Sequence, residues 1–475
     1  MDKVKKNVAY NMAYQILIYI IPLITAPYLS RTLGAEGLGI FSYSYSVVYY
    51  FSLVTILGLN SYGSKNIAQC GDDMEKRSKL FWNLYAMEVI IGLLMITVYL
   101  GYVLLGDVEY PNIAFIQTLL IVSSILDINW FFFGLEEFKI TVTRNAIVKF
   151  TSLVFIFLLV KSESDLAVYT FIMCATPVVS QLIMWAFARK RMVFVKPEWS
   201  EMKKHFLPNL ILFVPAIAGT MFKMMDKIML GALSTFSEVG YYENAEKIIS
   251  VPIIIITALG TVMLPRMSSM AVSGEADESE KYISASMDFA MFMASAMCFG
   301  LMAVSNNFAV VYYGAGFEKS GTFMMLLAVT IPLFSIANVI RSQYLIPNGL
   351  DKVYIISQAV GTVVNLIANL ILIPKYAGVG ACIGTILAEL TVTLIHIYSV
   401  RDSLHVQDYL KNSVWFIVSG IIMFAIVYSM NGLALARPVK LILQILVGVI
   451  VYLGLNIRYI NSNLDLKRII KKSQV

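Results

Sequence analysis

Apolar residues in this chain form long unbroken runs and do not alternate with polar ones. Each run covers about twenty positions, which is the length of a helix that crosses a membrane. A membrane barrel would instead alternate apolar and polar residues in shorter segments. The pattern predicts fourteen membrane-spanning helices, at residues 9–30, 38–60, 80–105, 111–133, 145–160, 166–188, 206–231, 241–263, 285–304, 321–346, 353–373, 378–400, 413–430 and 438–457.

The composition supports the same interpretation. Of the 475 residues, 59% are apolar and only 14% are charged, and the mean hydropathy is +0.75. A soluble surface needs roughly 25–35% charged residues, which excludes a soluble enzyme, a nucleic-acid-binding module and a disordered chain. We therefore predict an all-α polytopic membrane protein. The longest connections, 189–205 and 264–284, are too short to hold a folded catalytic domain.

Basic residues in the connections predict the orientation. With the N-terminus in the cytoplasm, the inner connections carry 25 Lys and Arg residues and the outer ones carry 6. Because cytoplasmic loops carry the excess of Lys and Arg, both termini are predicted to be cytoplasmic. The apolar stretch from Val8 to Leu29 is too long for a signal-peptide core, and it is interpreted as a first spanning helix that is retained.

Several charged residues lie inside predicted spans, where facing lipid would be costly. They indicate either structural ion pairs or a polar cavity, and the set as a whole favours a cavity. The spacing 223, 226, 227 places two lysines and an aspartate on one face of span seven, and the spacing 243, 246, 247 repeats this on span eight. The basic members are Lys149, Lys223, Lys227, Lys247 and Arg341, and the acidic ones are Glu88, Asp127, Asp226, Glu243, Glu246, Asp288 and Glu389.

Arg341 and Lys149 lie near the predicted cytoplasmic ends of spans ten and five. Lys65, Arg144 and Arg266 lie just beyond span ends, where simple anchoring at the cytoplasmic surface explains them. The four cysteines lie about a hundred residues apart, and the three histidines have no metal-type partner nearby in the sequence. We therefore expect reduced thiols and no metal site.

The chain also shows an internal repeat. Gly39 and Gly58 are nineteen residues apart in the first half, and Gly240 and Gly260 are twenty apart in the second. In both halves a helix ends in Leu-Gly, a short turn follows, and a glycine-aromatic pair opens the next helix. Internal repeats are common in transporters, whose halves move about a central site, although close helix packing also produces glycine repeats.

Four segments carry a family resemblance that extends over almost the whole chain. They are PYLSRTLGAEGLGIFSYSYS near the start, DINWFFFGLEEFKITVTRN at 127–145, DKIMLGALSTFSEVGYYENAEKI at 226–248 and NLIANLILIPKYAGVGACIGTILAE at 365–389. The chain resembles the Wzx-type oligosaccharide flippases of the multidrug/oligosaccharidyl-lipid/polysaccharide exporter superfamily. The resemblance implies two six-helix lobes around a central cavity, with an N-lobe at 1–188, a basic cytoplasmic loop at 189–205, a C-lobe at 206–400, and two added spans and a tail at 401–475.

The resemblance also implies a function, which is the translocation of an undecaprenyl-pyrophosphate-linked oligosaccharide across the bacterial cytoplasmic membrane by alternating access. Our hypothesis is that Arg341 and Lys149 receive the pyrophosphate at the inner mouth, and that Lys223, Lys227 and Lys247 serve the outward state. Arg31 and Asn338 complete the candidate binding set, and the candidates for sugar contacts are Tyr43, Tyr45, Tyr241 and Tyr242. The candidate acids for a coupling ion are Asp226, Glu246 and Asp288.

Other functions stay open at this point. A lipid II flippase or a multidrug antiporter would share the implied fold, although an antiporter for cations would favour unpaired acids in the cavity. A membrane polymerase or acyltransferase would need a large outer loop or a His/Asp constellation, which the sequence lacks. No nucleotide-binding loop is present, so we expect no enzyme activity and no cofactor. The implied partners are lipid-linked oligosaccharide, membrane lipid, and a polysaccharide polymerase with other assembly proteins, but no nucleic acid.

Overall fold

The computed structural model describes residues 2–463. Within that range it describes every side chain except those of residues 2–19, 214–216, 218–219, 221–223, 406, 410, 412, 462 and 463. The described chain is mostly helical. Its contacts group into two compact units, residues 1–243 and 244–475, and each unit is described by itself below. The lobe boundaries expected from the sequence stay a prediction.

The first unit contains eight helices and the start of a ninth. They are α1 (Asp2–Ile56), α2 (Leu59–Gln69), α3 (Met74–Leu105), α4 (Pro111–Ile125), α5 (Asn129–Gly134), α6 (Phe138–Leu159), α7 (Leu166–Ala188), α8 (Trp199–Leu233) and α9 (Phe236–Ser273). Gly34 interrupts α1 with a φ of 69° and a ψ of 178°, a conformation that a side chain would disfavour. The interruption falls between the first two predicted spans, as the Leu-Gly turn signal indicates.

The second unit contains the rest of α9 and eight further helices. They are α10 (Ala276–Tyr313), α11 (Glu318–Leu327), α12 (Thr330–Ile340), α13 (Asp351–Tyr376), α14 (Gly378–Val400), α15 (Val406–Ser429), α16 (Arg437–Leu455) and α17 (Ile457–Asn463). A single π-helical turn, Arg341–Leu345, continues α12. Helices α15 and α16 carry the two added predicted spans and pack on α10, where the Tyr452 hydroxyl donates to the Phe292 carbonyl at 2.8 Å.

The all-α membrane fold expected from the sequence is confirmed. Among the described residues, twelve helices are long and apolar enough to cross a membrane. One of them, Ile20–Gln69, contains most of the first two predicted spans, and α8 covers the seventh predicted span without being one of the twelve. The total of fourteen spans stays a prediction.

Each unit has its own core. In the first unit, an aromatic cluster joins α3, α5 and α7, with Phe81, Trp130 and Phe131 completely buried. In the second unit, methionines of α9 and α10, including Met267, Met287 and Met291, pack against α12 and α15. The four cysteines are buried free thiols. These cores position the helices that carry the charged residues.

Candidate functional site

A buried ion pair joins three helices of the first unit. The Lys227 ammonium of α8 lies 2.8 Å from Glu243 Oε2 of α9, and the two side chains are only 9% and 19% exposed. Ser42 of α1 donates its hydroxyl to the same carboxylate oxygen at 3.0 Å. Since two charges were removed from water to form this pair, each depends on the other for its stabilisation.

A second polar contact lies beside the ion pair. The Tyr242 hydroxyl of α9 donates to Asp226 Oδ2 of α8 at 2.7 Å, and both side chains are buried. The structure therefore joins the span-seven charges 226 and 227 to the adjacent α9 residues 242 and 243. The sequence placed these charges on one face of each helix, but it did not predict that Glu243 is the partner of Lys227.

Two glycines of the predicted repeat explain why α1 approaches α9 so closely. A Cβ atom added at Gly39 would lie 1.7 Å from the Phe236 carbonyl oxygen, and one added at Gly240 would lie 1.9 Å from the Ala35 carbonyl oxygen. Gly39 thus faces the backbone of Phe236, which precedes Gly240 by four residues. Gly240 faces the backbone of Ala35, which precedes Gly39 by four residues. Ser42 and Glu243 each follow one of these glycines by three residues, which brings them within hydrogen-bonding distance.

Tyrosines surround the ion pair. Tyr45 of α1 interacts electrostatically with both Lys227 and Glu243, and its ring lies 5.7 Å from that of Phe41 and 5.9 Å from that of Tyr49. Tyrosine rings and hydroxyls supply both faces for stacking and groups for hydrogen bonding. This arrangement suits a ligand that carries many hydroxyl groups.

The other tyrosines predicted for sugar contacts have different environments. Tyr242 already donates to Asp226, and the ring of Tyr43 packs edge-on against Phe236 at 5.4 Å. Tyr241 lies partly exposed on α9. Of the predicted four, Tyr45 lies near Lys227 and Glu243 themselves, and Tyr242 contacts the neighbouring Asp226.

Arg341 belongs to the second unit and is held differently from Lys227. Its Nη2 donates to Asn338 Oδ1 at 2.6 Å, and its guanidinium lies 5.3 Å from the centre of the Tyr354 ring. The Arg341 Nε atom is buried without a hydrogen-bond partner. No ion pair of Arg341 occurs among the described residues, so its charge is not neutralised by a neighbouring carboxylate there.

The local backbone explains how Arg341 is held. It begins the π-helical turn, in which the Ile346 N–H donates to the Arg341 carbonyl at 3.0 Å, and such turns are frequent at functional sites. Asn338 also donates to the Ile256 carbonyl at 3.2 Å. A Cβ at Gly260 would lie 3.0 Å from the Asn338 amide nitrogen, so the repeat glycine leaves room for the asparagine that holds Arg341.

The other predicted site residues are less closely connected. Lys149 is half-buried on α6 and Arg31 is exposed on α1. Asp288 is half-buried on α10, and its Oδ1 atom has no hydrogen-bond partner. Glu246 and Lys247 are partly exposed on α9. The Lys223 side chain lies outside the described residues.

Arg144 was expected to anchor the protein at the membrane surface, and this expectation is wrong. Its side chain is buried, and it donates to Asn129 Oδ1 at 3.0 Å and to Asn145 Oδ1 at 2.7 Å. It also donates to the Ser180 carbonyl at 3.2 Å and to Gln181 Oε1 at 3.3 Å. Asp127 accepts from the Asn129 N–H at 2.7 Å and interacts electrostatically with Arg144.

This network accounts for the polar residues at both ends of the segment 127–145. Asp127 and Asn129 open the segment, and Arg144 and Asn145 close it. The sequence therefore contained a signal for this contact, namely polar residues at the two ends of one quoted motif. The position of Arg144 just beyond a predicted span end suggested anchoring. That position alone does not reveal whether the side chain turns inward.

Glu88 is another buried acid of the first unit. Its side chain is completely buried among the aromatic cluster, and Oε2 accepts from the Trp130 indole N–H at 3.4 Å. The Oε1 atom has no hydrogen-bond partner. Glu88 is therefore held inside the aromatic cluster by its hydrogen bond to Trp130.

Comparisons with known proteins identify relatives over most of the chain. The sequence pattern of a family described as "Polysaccharide biosynthesis protein" matches residues 4–271. The chain is 22% identical over 406 residues to the "Putative O-antigen transporter" of Escherichia coli (strain K12), a match that covers 84% of this chain and 97% of that protein. It is 24% identical over 306 residues to the "Probable low-salt glycan biosynthesis flippase Agl15" of Haloferax volcanii, covering 64% of each protein.

A solved structure shares the fold. The chain matches "Lipid II flippase MurJ, inward closed conformation" with a TM-score of 0.76 at 15% identity, over 96% of this chain and 100% of that one. At this identity the likeness shows the fold alone. The chain therefore shares the all-α membrane fold of that flippase structure.

Proposed function

Since this chain belongs to the polysaccharide biosynthesis protein family, we propose that it is a flippase for lipid-linked oligosaccharides. The substrate class is an oligosaccharide repeat unit attached through pyrophosphate to a polyprenyl lipid such as undecaprenol. The protein moves the polar head of this lipid across the cytoplasmic membrane by alternating access and thereby serves surface polysaccharide synthesis. The names of two relatives, an O-antigen transporter and a glycan biosynthesis flippase, support this substrate class.

The observation that carries the proposal is that basic side chains lie inside helices that are otherwise apolar. A sugar and a pyrophosphate cannot cross hydrocarbon unaided, because buried anions pay a very large desolvation penalty. Lys and Arg contacts replace lost hydration with charge-assisted hydrogen bonds. The lipid tail needs no such contacts, because it stays in hydrocarbon throughout.

Arg341 is the residue best prepared to receive the pyrophosphate. Its charge has no carboxylate partner in the described part of the chain, and its Nε–H is buried and unused. A guanidinium binds phosphate oxygens through two parallel N–H groups. In our proposal Asn338 assists Arg341, which it already holds by a hydrogen bond. Lys149 of the first unit is proposed separately as a phosphate contact, and Arg31 is a weaker candidate because it is exposed.

Lys227 serves the outward state together with Lys223 and Lys247. In the present structure its charge is balanced by Glu243. The pyrophosphate then competes with the Glu243 carboxylate for the lysine, and Ser42 continues to hold that carboxylate by its hydrogen bond. Tyr45 is placed to contact the sugar beside this pair.

Of the three acids proposed for a coupling ion, Asp288 is favoured over Asp226 and Glu246. One carboxylate oxygen of Asp288 is buried and has no hydrogen-bond partner, whereas Asp226 already accepts from Tyr242. A carboxylate oxygen that accepts no hydrogen bond is available to bind a coupling ion.

The proposal includes a location and partners. The chain lies in the bacterial cytoplasmic membrane with both termini in the cytoplasm, as the distribution of Lys and Arg predicts. A polysaccharide polymerase and other assembly proteins then use the flipped product. Cysteine labelling tests the orientation, because position 195 should react only from the cytoplasmic side and position 108 only from outside.

The test of the function uses purified protein in liposomes that contain a labelled lipid-linked oligosaccharide. A membrane-impermeant enzyme that modifies the sugar then reports how much substrate reaches the other leaflet. We expect flipping of the oligosaccharide lipid and no uptake of cationic dyes. Lipid II supplied in the same assay tests the alternative flippase. Flipping of lipid II alone, or dye transport without flipping, would overturn the proposal.

A further inference from the structure

The connection between α7 and α8 is a fixed segment that exposes aromatic and basic side chains together. We name residues 189–205 the connector. It comprises an extended stretch after α7 and the first turns of α8. This unusual combination of rigidity, positive charge and exposed aromatic surface is not used by the proposed transport cycle.

Side-chain hydrogen bonds fasten the connector to α3. The Val193 N–H donates to Ser78 Oγ at 3.0 Å, and the Trp82 indole donates to the Val193 carbonyl at 2.9 Å. Further along, the Glu198 N–H donates to Asn83 Oδ1 at 2.7 Å. Because these contacts follow one helix over successive positions, the connector has a defined course along α3.

The acidic residues of the connector are already paired. Glu198 lies 3.1 Å from the Lys79 ammonium, and Glu201 lies 2.7 Å from the Lys204 ammonium. Arg191 is paired with Glu137 at 2.7 Å. What remains without an acidic partner in the described residues is a set of exposed cations: Arg189, Lys190, Lys196 and Lys203.

Exposed aromatic residues lie between these cations. Phe194 is 73% exposed and Trp199 is 60% exposed, and the Lys203 ammonium lies 5.4 Å from the Trp199 ring centre. A soluble anion would be served by the charges alone. Aromatic rings interleaved with Lys and Arg are instead typical of segments at the surface of a bilayer.

We propose that the connector is a binding site for anionic phospholipid headgroups. Arg189, Lys190, Lys196 and Lys203 contact the headgroup phosphates, and Phe194 and Trp199 enter the boundary between headgroups and acyl chains. Clusters of four or more basic residues beside a spanning helix favour anionic lipids in this way. The site takes ordinary membrane phospholipid and is independent of the substrate that the protein transports.

The test measures which lipid lies beside Trp199. The full-length protein is placed in two bilayers of the same phosphatidylcholine and phosphatidylglycerol mixture, which differ only in which lipid carries brominated chains. Bromine quenches nearby tryptophan fluorescence. The contribution of Trp199 is the difference in fluorescence quenching between the wild type and Trp199→Phe. This difference is expressed per mole of brominated lipid.

We expect phosphatidylglycerol to quench Trp199 more than roughly fivefold better per mole than phosphatidylcholine, since one well-placed cation alone corresponds to about fivefold. The triple variant Arg189→Gln, Lys190→Gln, Lys196→Gln should lower this ratio severalfold, toward the value that the remaining Lys203 supports. High salt should also lower the ratio. Unchanged melting temperatures would show that the variants are folded.

The matched control removes three exposed basic residues from other predicted cytoplasmic ends, with Lys281→Gln, Lys352→Gln and Arg458→Gln. It should keep the preference of Trp199 for phosphatidylglycerol. Equal quenching by both lipids in the wild type, or a preference in the connector variant as strong as that of the wild type, would overturn the proposal. Absence of quenching by either lipid would also overturn it, since the connector would then face water or another protein.

Discussion

The two units hold their buried cations in opposite ways. In the first unit, Lys227 is balanced by Glu243 and Ser42 supports the carboxylate. In the second unit, Arg341 is held by a neutral asparagine and an aromatic ring, and its Nε has no partner. The first arrangement is locally neutral and contributes to folding. The second keeps a net positive charge, which a folded protein tolerates only where function requires it.

The largest effect should follow from breaking the neutral arrangement. Lys227→Ala removes the ammonium that balances the Glu243 carboxylate, and we expect a loss of about 3–5 kcal/mol in stability. The double variant Lys227→Ala, Glu243→Gln also removes the negative charge of Glu243 and should recover most of the lost stability. Melting temperature in detergent and the yield of folded protein measure both effects.

Transport measurements on the single and double variants separate the role of Lys227 in folding from its role in transport. If Lys227 binds pyrophosphate, the double variant folds but flips substrate slowly. Full transport by the double variant would show that Lys227 is only a counter-ion of Glu243. A single variant as stable as the wild type would show that the ion pair does not support the fold.

A smaller effect is expected when the helix contact beside the ion pair is forced apart. Gly240→Ala places a methyl group against the Ala35 carbonyl, so α1 and α9 must separate, at a cost of about 1–3 kcal/mol. Gly101→Ala is the matched control, because no atom lies within 4 Å of the added Cβ and alanine favours a helix. Equal melting temperatures of the two variants would contradict the close contact.

Replacing Arg341 should reduce transport more than stability, in contrast to replacing Lys227. Arg341→Ala loses hydrogen bonds but strands no opposite charge, so we expect a stability loss of about 1–2 kcal/mol. Transport should fall at least about tenfold, because a charge-assisted phosphate contact is lost. Arg341→Lys should keep part of the transport, since it retains the charge without the planar fork.

Transport per folded molecule in liposomes, with the exposed Arg458→Ala as control, measures this difference. Normal flipping by Arg341→Ala would remove Arg341 from the proposed site. A collapse in stability as large as that of Lys227→Ala would show that both cations are structural.

The smallest effect concerns an exposed ion pair of the second unit. His405 Nδ1 lies 2.6 Å from Glu280 Oε1, and this hydrogen bond raises the pKa of His405 above its ordinary value. The pair therefore stabilises the fold fully below the unfolded pKa of about 6.5, and this contribution is lost as the pH rises through the higher folded pKa.

Since His405 is exposed, we expect only a slight fall in melting temperature across that range. The fall should be smaller in His405→Asn, measured under the same conditions. An identical pH dependence in both proteins would show that this pair makes no contribution.

The motif 127–145 shows how far sequence reasoning reaches toward the site. Its polar ends stand out from the apolar runs, and they belong to one buried network around Arg144. The prediction of surface anchoring failed because burial depends on neighbours from α7 that are distant in sequence. The glycine repeat was more informative, because a residue without a side chain already indicates a close backbone approach.

The sequence by itself determined that this chain crosses a membrane many times, because apolar runs of helical length have no other stable environment. It also predicted that Lys227 and Arg341 lie within spans, and that charges spaced by three and four share a helix face. Only the tertiary structure decided which group each face meets. A helical period fixes the direction of a side chain within its own helix, whereas the partner comes from another helix. For that reason Glu243 balances Lys227, while Arg341 keeps its charge.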